Sequence, residues 1–228
     1  MDGYSRYAIY AAPEGALWDW GSQWLGWDAR LGMMRLHPDV EGLPRPVAEI
    51  TATPRKYGLH ATIKPPFRLA DGTTASDLHW AVSAQVLRLS PVTVPGLKLH
   101  RIGGFLALVP DGDEGELRAM AAKVVESLDA FRAPPSPEEI ARRNPDRLTE
   151  RQRGYLAQWG YPYVMEEFFF HITLSGDLPP EEGVAVEAAL APVLAPLLPR
   201  PYIVDSLCLF GEGAEGRFHL LHRYTLSG

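Results

Sequence analysis

The chain has 228 residues, of which 46% are hydrophobic and 22% charged, and its formal net charge is −6. That length and composition suit a globular protein with a real core, and no apolar run approaches the ~20 residues needed to span a bilayer. The acidic balance argues against a protein that grips long nucleic acid by its phosphates, while leaving room for a local anion site.

The first ten residues carry Asp2 and Arg6 and lack an apolar signal core, so no targeting peptide is expected. The single cysteine, Cys208, sits in the apolar run Ser206–Phe210 and has no internal partner. A buried reduced thiol and a cytoplasmic setting follow as expectations. The run Tyr7 to Ala12 reads as a strand ended by Pro13. Ala16 to Trp27 reads as a helix whose tryptophans, at 18, 20, 24 and 27, are expected to pack into the core. Prolines at 38, 44, 46 and 54 mark residues 36–56 as a long loop.

A pattern then occurs twice. The first copy opens on the apolar strand Gly58-Leu59-His60-Ala61-Thr62-Ile63 and continues with a helix over 76–89. A strand over 92–101 follows, then a turn at Gly103-Gly104 and a returning strand over 105–109. The second copy opens on Phe170-His171-Ile172-Thr173-Leu174 and repeats the order with a helix over 180–198 and strands over 202–210 and 218–226. Between the copies, Glu114 to Ala130 has an amphipathic helical period. A proline cluster and an arginine-rich stretch come next. This is a duplication of architecture rather than of letters. It predicts an α+β fold: two antiparallel sheets, forming two lobes, with helices outside and a central cleft between them. The whole would be one domain over 1–228, with lobe one about 1–112, a helical insertion about 113–160 and lobe two about 161–228.

On a strand, residues i and i+2 share a face. His60 would then project with Thr62, and His171 with Thr173, so that two imidazoles and two hydroxyls converge from opposite walls. Cleavage of a phosphodiester needs a base for the incoming water and an acid for the leaving alkoxide, and histidine serves either role near neutral pH. Threonine hydroxyls can hold the non-bridging phosphate oxygens. No metal or cofactor enters this scheme, and the chain has no His-x-His, His-Glu-x-x-His or Cys-x-x-Cys pattern. One His-x-Thr is a weak signal, but two at equivalent places in a duplicated architecture form a specific one.

Other candidates surround the pair. Lys64, two beyond Thr62, shares its face if the strand persists past it, although Pro65-Pro66 suggests that it ends there. Tyr57 could donate its phenol to a phosphate. Arg142 and Arg143, on the insertion, would suit a second phosphate on the substrate; the plainer alternative is a solvated helix whose arginines pair with Glu138, Glu139 and Asp146. Tyr161 and Tyr163 could stack on a ribose or a base, or simply be core.

The paired motifs and the duplication resemble the 2H phosphoesterase superfamily. Within it, the run Arg55 to Phe67, the opening Arg6 to Tyr10 and the stretch Trp159 to Val164 are similar to a bacterial "phosphonate metabolism" subfamily, the domain of unknown function numbered 1045. The resemblance covers nearly the whole chain. It implies a bilobal 2H fold and a role beside carbon–phosphorus lyase, where a cyclic ribose phosphate ester has to be opened. The expected activity is that of a metal-independent phosphodiesterase acting on a small phosphate ester. Its alternatives are RNA 2′,3′-cyclic phosphate processing and a non-catalytic phosphate-ligand binder. RNA-processing branches carry an arginine-rich second motif, whereas here Thr173 is followed by Leu174-Ser175-Gly176-Asp177. Oligomeric state is not legible.

Overall fold

The structure, a computed structural model, describes residues 3–228. Met1 and Asp2, part of the stretch read for a targeting signal, lie outside the described residues. Strand β1 (Tyr7–Ala11) is buried along its whole length. Helix α1 (Gly15–Leu25) ends where Gly26 takes φ 77°, a left-handed turn that glycine adopts without steric cost. A two-stranded ribbon, β2 (Trp27–Asp28) with β3 (Met33–Met34), follows. The stretch expected to be a loop holds two short helices, α2 (Val47–Ile50) and α3 (Ala52–Arg55). They are tied by the Thr51 hydroxyl to Val47 O and by the Arg55 guanidinium to Leu25 O.

The first repeat then runs β4 (Ala61–Phe67), α4 (Ala75–Val86), β5 (Val92–Val94), β6 (Leu97–Ile102) and β7 (Phe105–Pro110). A capping box between Thr74 and Asp77 starts α4. Helices α5 (Gly115–Ser127), α6 (Pro137–Ala141) and α7 (Glu150–Trp159) fill the insertion. The second repeat is β8 (Ile172–Thr173), α8 (Pro180–Leu194), β9 (Tyr202–Val204), β10 (Ser206–Glu212) and β11 (Phe218–Thr225). Each long strand expected after a repeat helix is thus two strands, β5 with β6 and β9 with β10. Among the described residues no helix is long and apolar enough to cross a membrane.

The two antiparallel sheets run into one another as a seven-stranded sheet of order β11-β10-β1-β4-β8-β7-β6. The repeats meet strand to counterpart: β4 pairs with β8, and β5 pairs with β9, both antiparallel. Antiparallel pairing between equivalent strands is what a local two-fold requires. The halves of the sheet do not follow the division of the chain near residue 112. Hairpin β6–β7 of the first repeat extends β8 of the second, while hairpin β10–β11 of the second lies beyond β4 of the first, with β1 between them. The helices exchange in the same way, α4 packing on β10 and β11, and α8 on β6 and β7. Neither repeat can bury its sheet alone.

The tryptophans fill the core as expected: Trp18, Trp24 and Trp27 are buried, and Trp20 stacks on Trp24. The indole of Trp24 donates to Leu174 O at 2.7 Å and that of Trp27 to Phe218 O at 2.9 Å, so their polar atoms are not stranded. Cys208 is a buried free thiol, pushed up to about 12 by desolvation.

Strand β4 breaks two expectations. It passes through Pro65-Pro66 to Phe67, because β8 pairs with it only at Ala61, and the prolines lie where that side of the strand has no partner. It also carries a bulge: Tyr10 lies opposite Thr62, but Ile9 lies opposite Lys64 rather than Ile63. The extra residue resets the alternation. Lys64 is therefore buried on the far side from Thr62, its ammonium 3.1 Å from Val125 O on α5 and 3.4 Å from Asp129 Oδ1. Burial holds its pKa down to about 8 against the pull of Asp129. Between about 8 and the ordinary lysine value of about 10, the unfolded chain keeps a proton that the folded chain has released. Stability from this group therefore rises with pH over that window. Denaturant unfolding of wild type and Lys64→Met should show their stability difference moving toward wild type as pH rises through it. A difference that stays flat would mean that Lys64 is not desolvated.

Candidate active site

The bridge between Ala61 and Ile172 fixes the geometry of both motifs. An antiparallel register through that pair sets His60 across from Thr173 and Thr62 across from His171, on the face opposite the buried Ala61 and Ile172. Each histidine stands one residue before its strand, and each ring is aimed by the same local contact. His60 Nδ1 lies 3.0 Å from Gly58 O, and His171 Nδ1 lies 2.9 Å from Phe169 O. A carbonyl only accepts, so Nδ1 carries the proton in both rings and Nε2 is left unprotonated. His60 Nε2 takes a hydrogen bond from the Thr62 hydroxyl at 3.2 Å. Gly58 has φ 73°, and a Cβ there would stand 2.8 Å from that of Ala29, so the carbonyl that orients His60 depends on this glycine.

The His60 ring stacks on Tyr10 at 3.8 Å between centroids and is held down to about 4, chiefly by desolvation, with His171 adding repulsion and the Gly58 carbonyl opposing. Burial also lowers His171, against the Phe169 carbonyl and Glu114. His171 lies between two aromatic rings, Phe169 at 5.9 Å and Phe105 at 5.8 Å.

A cavity of about 310 Å³ lies over this face. Of the residues singled out in the sequence, His60, Thr62, Thr173, Tyr57, Arg143 and Tyr161 line it. His171 does not itself line it but packs on Phe105, which does. Lys64 is excluded by the bulge in β4 and faces α5 instead. Tyr163 also falls outside the lining: 160–164 is a turn rather than a strand, so its ring meets Tyr161 edge-on and is half exposed. Arg142 opens into a neighbouring cavity. Its Nε donates to the backbone of Glu138, so the expected pairing with nearby carboxylates does not form.

Arg6 and Tyr10 are among the lining residues that the sequence reading does not single out. Arg6 is clamped by Glu212 through two contacts of 2.6 Å. Tyr10, opposite Thr62 in the β1–β4 register, is fully buried, and its hydroxyl has no hydrogen-bond partner among the described residues. Both lie within the Arg6–Tyr10 run that carries the family resemblance, but only strand pairing brings them to the motif. No group of three or more His, Cys, Asp or Glu side chains among the described residues is placed to hold a metal ion.

Residues 62–219 match the family described as "Protein of unknown function (DUF1045)". The chain belongs to that family. Among curated proteins, it is 31% identical over 219 residues to the ribose 1,5-bisphosphate phosphokinase PhnN of Janthinobacterium sp. (strain Marseille), covering 93% of this chain and 48% of that one. It is 33% identical over 215 residues to the protein of the same name from Laribacter hongkongensis (strain HLHK9), covering 92% and 49%. The chain thus spans about half the length of the curated relatives it matches. Similar solved structures include one described as a phosphoesterase, at 14% identity and TM-score 0.44, covering 99% of both chains. Another is E. coli LigT complexed with 3′-AMP, at 14% identity and TM-score 0.43, also covering 99% of both.

For this DUF1045 protein, the burial of His60 makes a direct prediction. At pH 5.5, where an ordinary histidine is mostly charged, His60 should remain neutral with its proton on Nδ1, and it should titrate near 4. Nitrogen-15 NMR of the imidazoles reads both tautomer and titration. A His60 signal that titrates near 6.5 would mean that the ring is solvated.

Proposed function

We propose that this DUF1045 protein is a metal-independent phosphodiesterase that opens a small cyclic ribose-phosphate ester by general acid–base catalysis between His60 and His171. The observation that carries this reading is the pair of imidazoles, each with an unprotonated Nε2, set across one strand bridge with a threonine beside each. His60, neutral and buried, is the base. It takes a proton from water as the water oxygen bonds to phosphorus and the ester P–O bond breaks. His171 is the acid and protonates the departing ribose oxygen. Both rings are driven toward neutrality by burial, so the acid has to acquire its proton in the complex. A bound phosphate supplies the negative charge that raises a neighbouring imidazole pKa. Thr62, Thr173, Tyr57 and the unpartnered Tyr10 hydroxyl offer donors to the non-bridging oxygens.

The cavity of about 310 Å³ is at the small end of ligand sites, which favours a sugar phosphate over an oligonucleotide. The curated relatives are named for a kinase acting on a ribose carrying two phosphates. No lysine in this chain follows a glycine, so the phosphate-binding Gly-Lys of a P-loop is missing from it. The kinase activity named for those relatives is not carried over to this chain, which matches about half of their length, and a different reaction on a ribose phosphate is read here. A role in phosphonate degradation is consistent with their name.

Turnover of a cyclic ribose phosphate in the presence of chelator should fall about 10²–10⁴-fold in either His60→Ala or His171→Ala. The acid limb of kcat/KM in the wild type should lie near the His60 value of about 4 rather than near 6.5. Near-native turnover in either variant would contradict the two-histidine mechanism. Tight binding without turnover across cyclic and linear diesters would leave a phosphate-ligand binder instead.

A further inference from the structure

Next to the histidine cavity lies a second, of about 270 Å³. Its wall holds six cations, Arg6, Lys56, Arg68, Arg132, Arg142 and Arg143, against one carboxylate, Glu139. In a chain of net charge −6 this is a strong local reversal. Half of these cations are already balanced. Arg6 is forked on Glu212, Arg132 on Asp129, and Arg68 lies 3.2 Å from Glu139. For Lys56, Arg142 and Arg143, no carboxylate lies within ion-pair distance among the described residues. Lys56 lies over the Tyr57 ring, Arg143 lies over the Tyr161 ring, and Arg142 donates to the Glu138 backbone; at longer range Arg142 acts on Glu138 and Glu139, and Lys56 on Glu212. Gathering like charges costs free energy unless an anion joins them. The two cavities share Arg6, Tyr57, Pro66 and Arg143, so one ligand can reach from one to the other.

We infer that the second cavity takes a phosphate monoester on the same molecule whose cyclic diester sits at the histidines. The substrate class is then a cyclic phosphodiester of a sugar that also carries a separate, terminal phosphate. The inference rests on the proposed activity and narrows its substrate. Guanidinium groups match the tetrahedral oxyanion in charge and in fork geometry, and three cations with no carboxylate in contact suit a dianion better than a carboxylate. The wall also includes Pro66, Phe67, Ala133 and Pro135, while Lys56, Arg142 and Arg143 are themselves exposed, so an arriving anion can reach them. A cavity of this size holds one such group rather than a run of nucleic acid backbone.

The test compares a ribose cyclic phosphate with and without a phosphate on its primary hydroxyl, in wild type, Arg142→Gln and Lys56→Gln. Wild type should favour the phosphorylated ester in kcat/KM, and each substitution should reduce that preference about tenfold, the effect of one lost hydrogen bond to a charged group. No preference in wild type, or a preference untouched in both variants, would overturn the inference. If wild type opens neither ester, the proposed activity fails while the subsite is still decided by calorimetry with ribose 5-phosphate. Binding that weakens about tenfold in Arg142→Gln supports it, and no binding, or equal binding in the variant, rejects it. Inorganic phosphate bound as tightly as ribose 5-phosphate would reassign the cavity to free phosphate and reject a substrate subsite.

Discussion

The structure depends on one backbone bridge, where Ala61 of the first repeat pairs with Ile172 of the second. Both side chains are buried, and the pair lies where two equivalent strands meet. Because the pairing is antiparallel, what lies one residue before the bridge on one strand faces what lies one residue after it on the other. A His-x-Thr centred on each bridge residue therefore delivers a histidine and a threonine from each repeat to a single patch. The exchanged hairpins and helices hold that bridge, since each half of the sheet is built from both repeats.

Burial then tunes the chemistry. Tyr10 roofs the His60 ring, and the aromatic pair Phe105 and Phe169 flanks His171. Desolvation pushes both toward the neutral form, while the carbonyls of Gly58 and Phe169 choose the tautomer. A neutral pair does not repel itself; under the proposed mechanism it would become an acid and a base only when an anion arrives between the rings. In the neighbouring basic cavity, positive charge held by arginines stands apart from the two histidines, the cavities meeting through a shared wall.

Much of this was legible in the chain. Turn glycines, apolar periods and the doubled motif were enough to show the repeats, the order of their elements and the pairing of His with Thr. What was not legible depends on long-range pairing. The period-two rule places Lys64 beside Thr62, and a bulge that forms only against β1 sends it to the opposite face. Two prolines mark the end of a strand unless the side they occupy has no partner, as it does beyond the short β8. Tyr10 sits 52 residues from Thr62 in sequence and becomes its neighbour through sheet register alone. Tyr161 and Tyr163 alternate in letters but not in space, because the chain turns there and only the first reaches the cavity. The arginine stretch read as a solvated helix has the expected carboxylates close in sequence, yet Ser136 and Arg68 hold them instead.

The most direct test of two imidazoles acting on one phosphorus is phosphorus NMR of a panel of cyclic sugar phosphates opened by the protein in water enriched in oxygen-18. One geometry for base and acid predicts a single ring-opened isomer carrying one oxygen-18 on phosphorus. No opening of any member, a mixture of isomers, or label on the sugar carbon would contradict it.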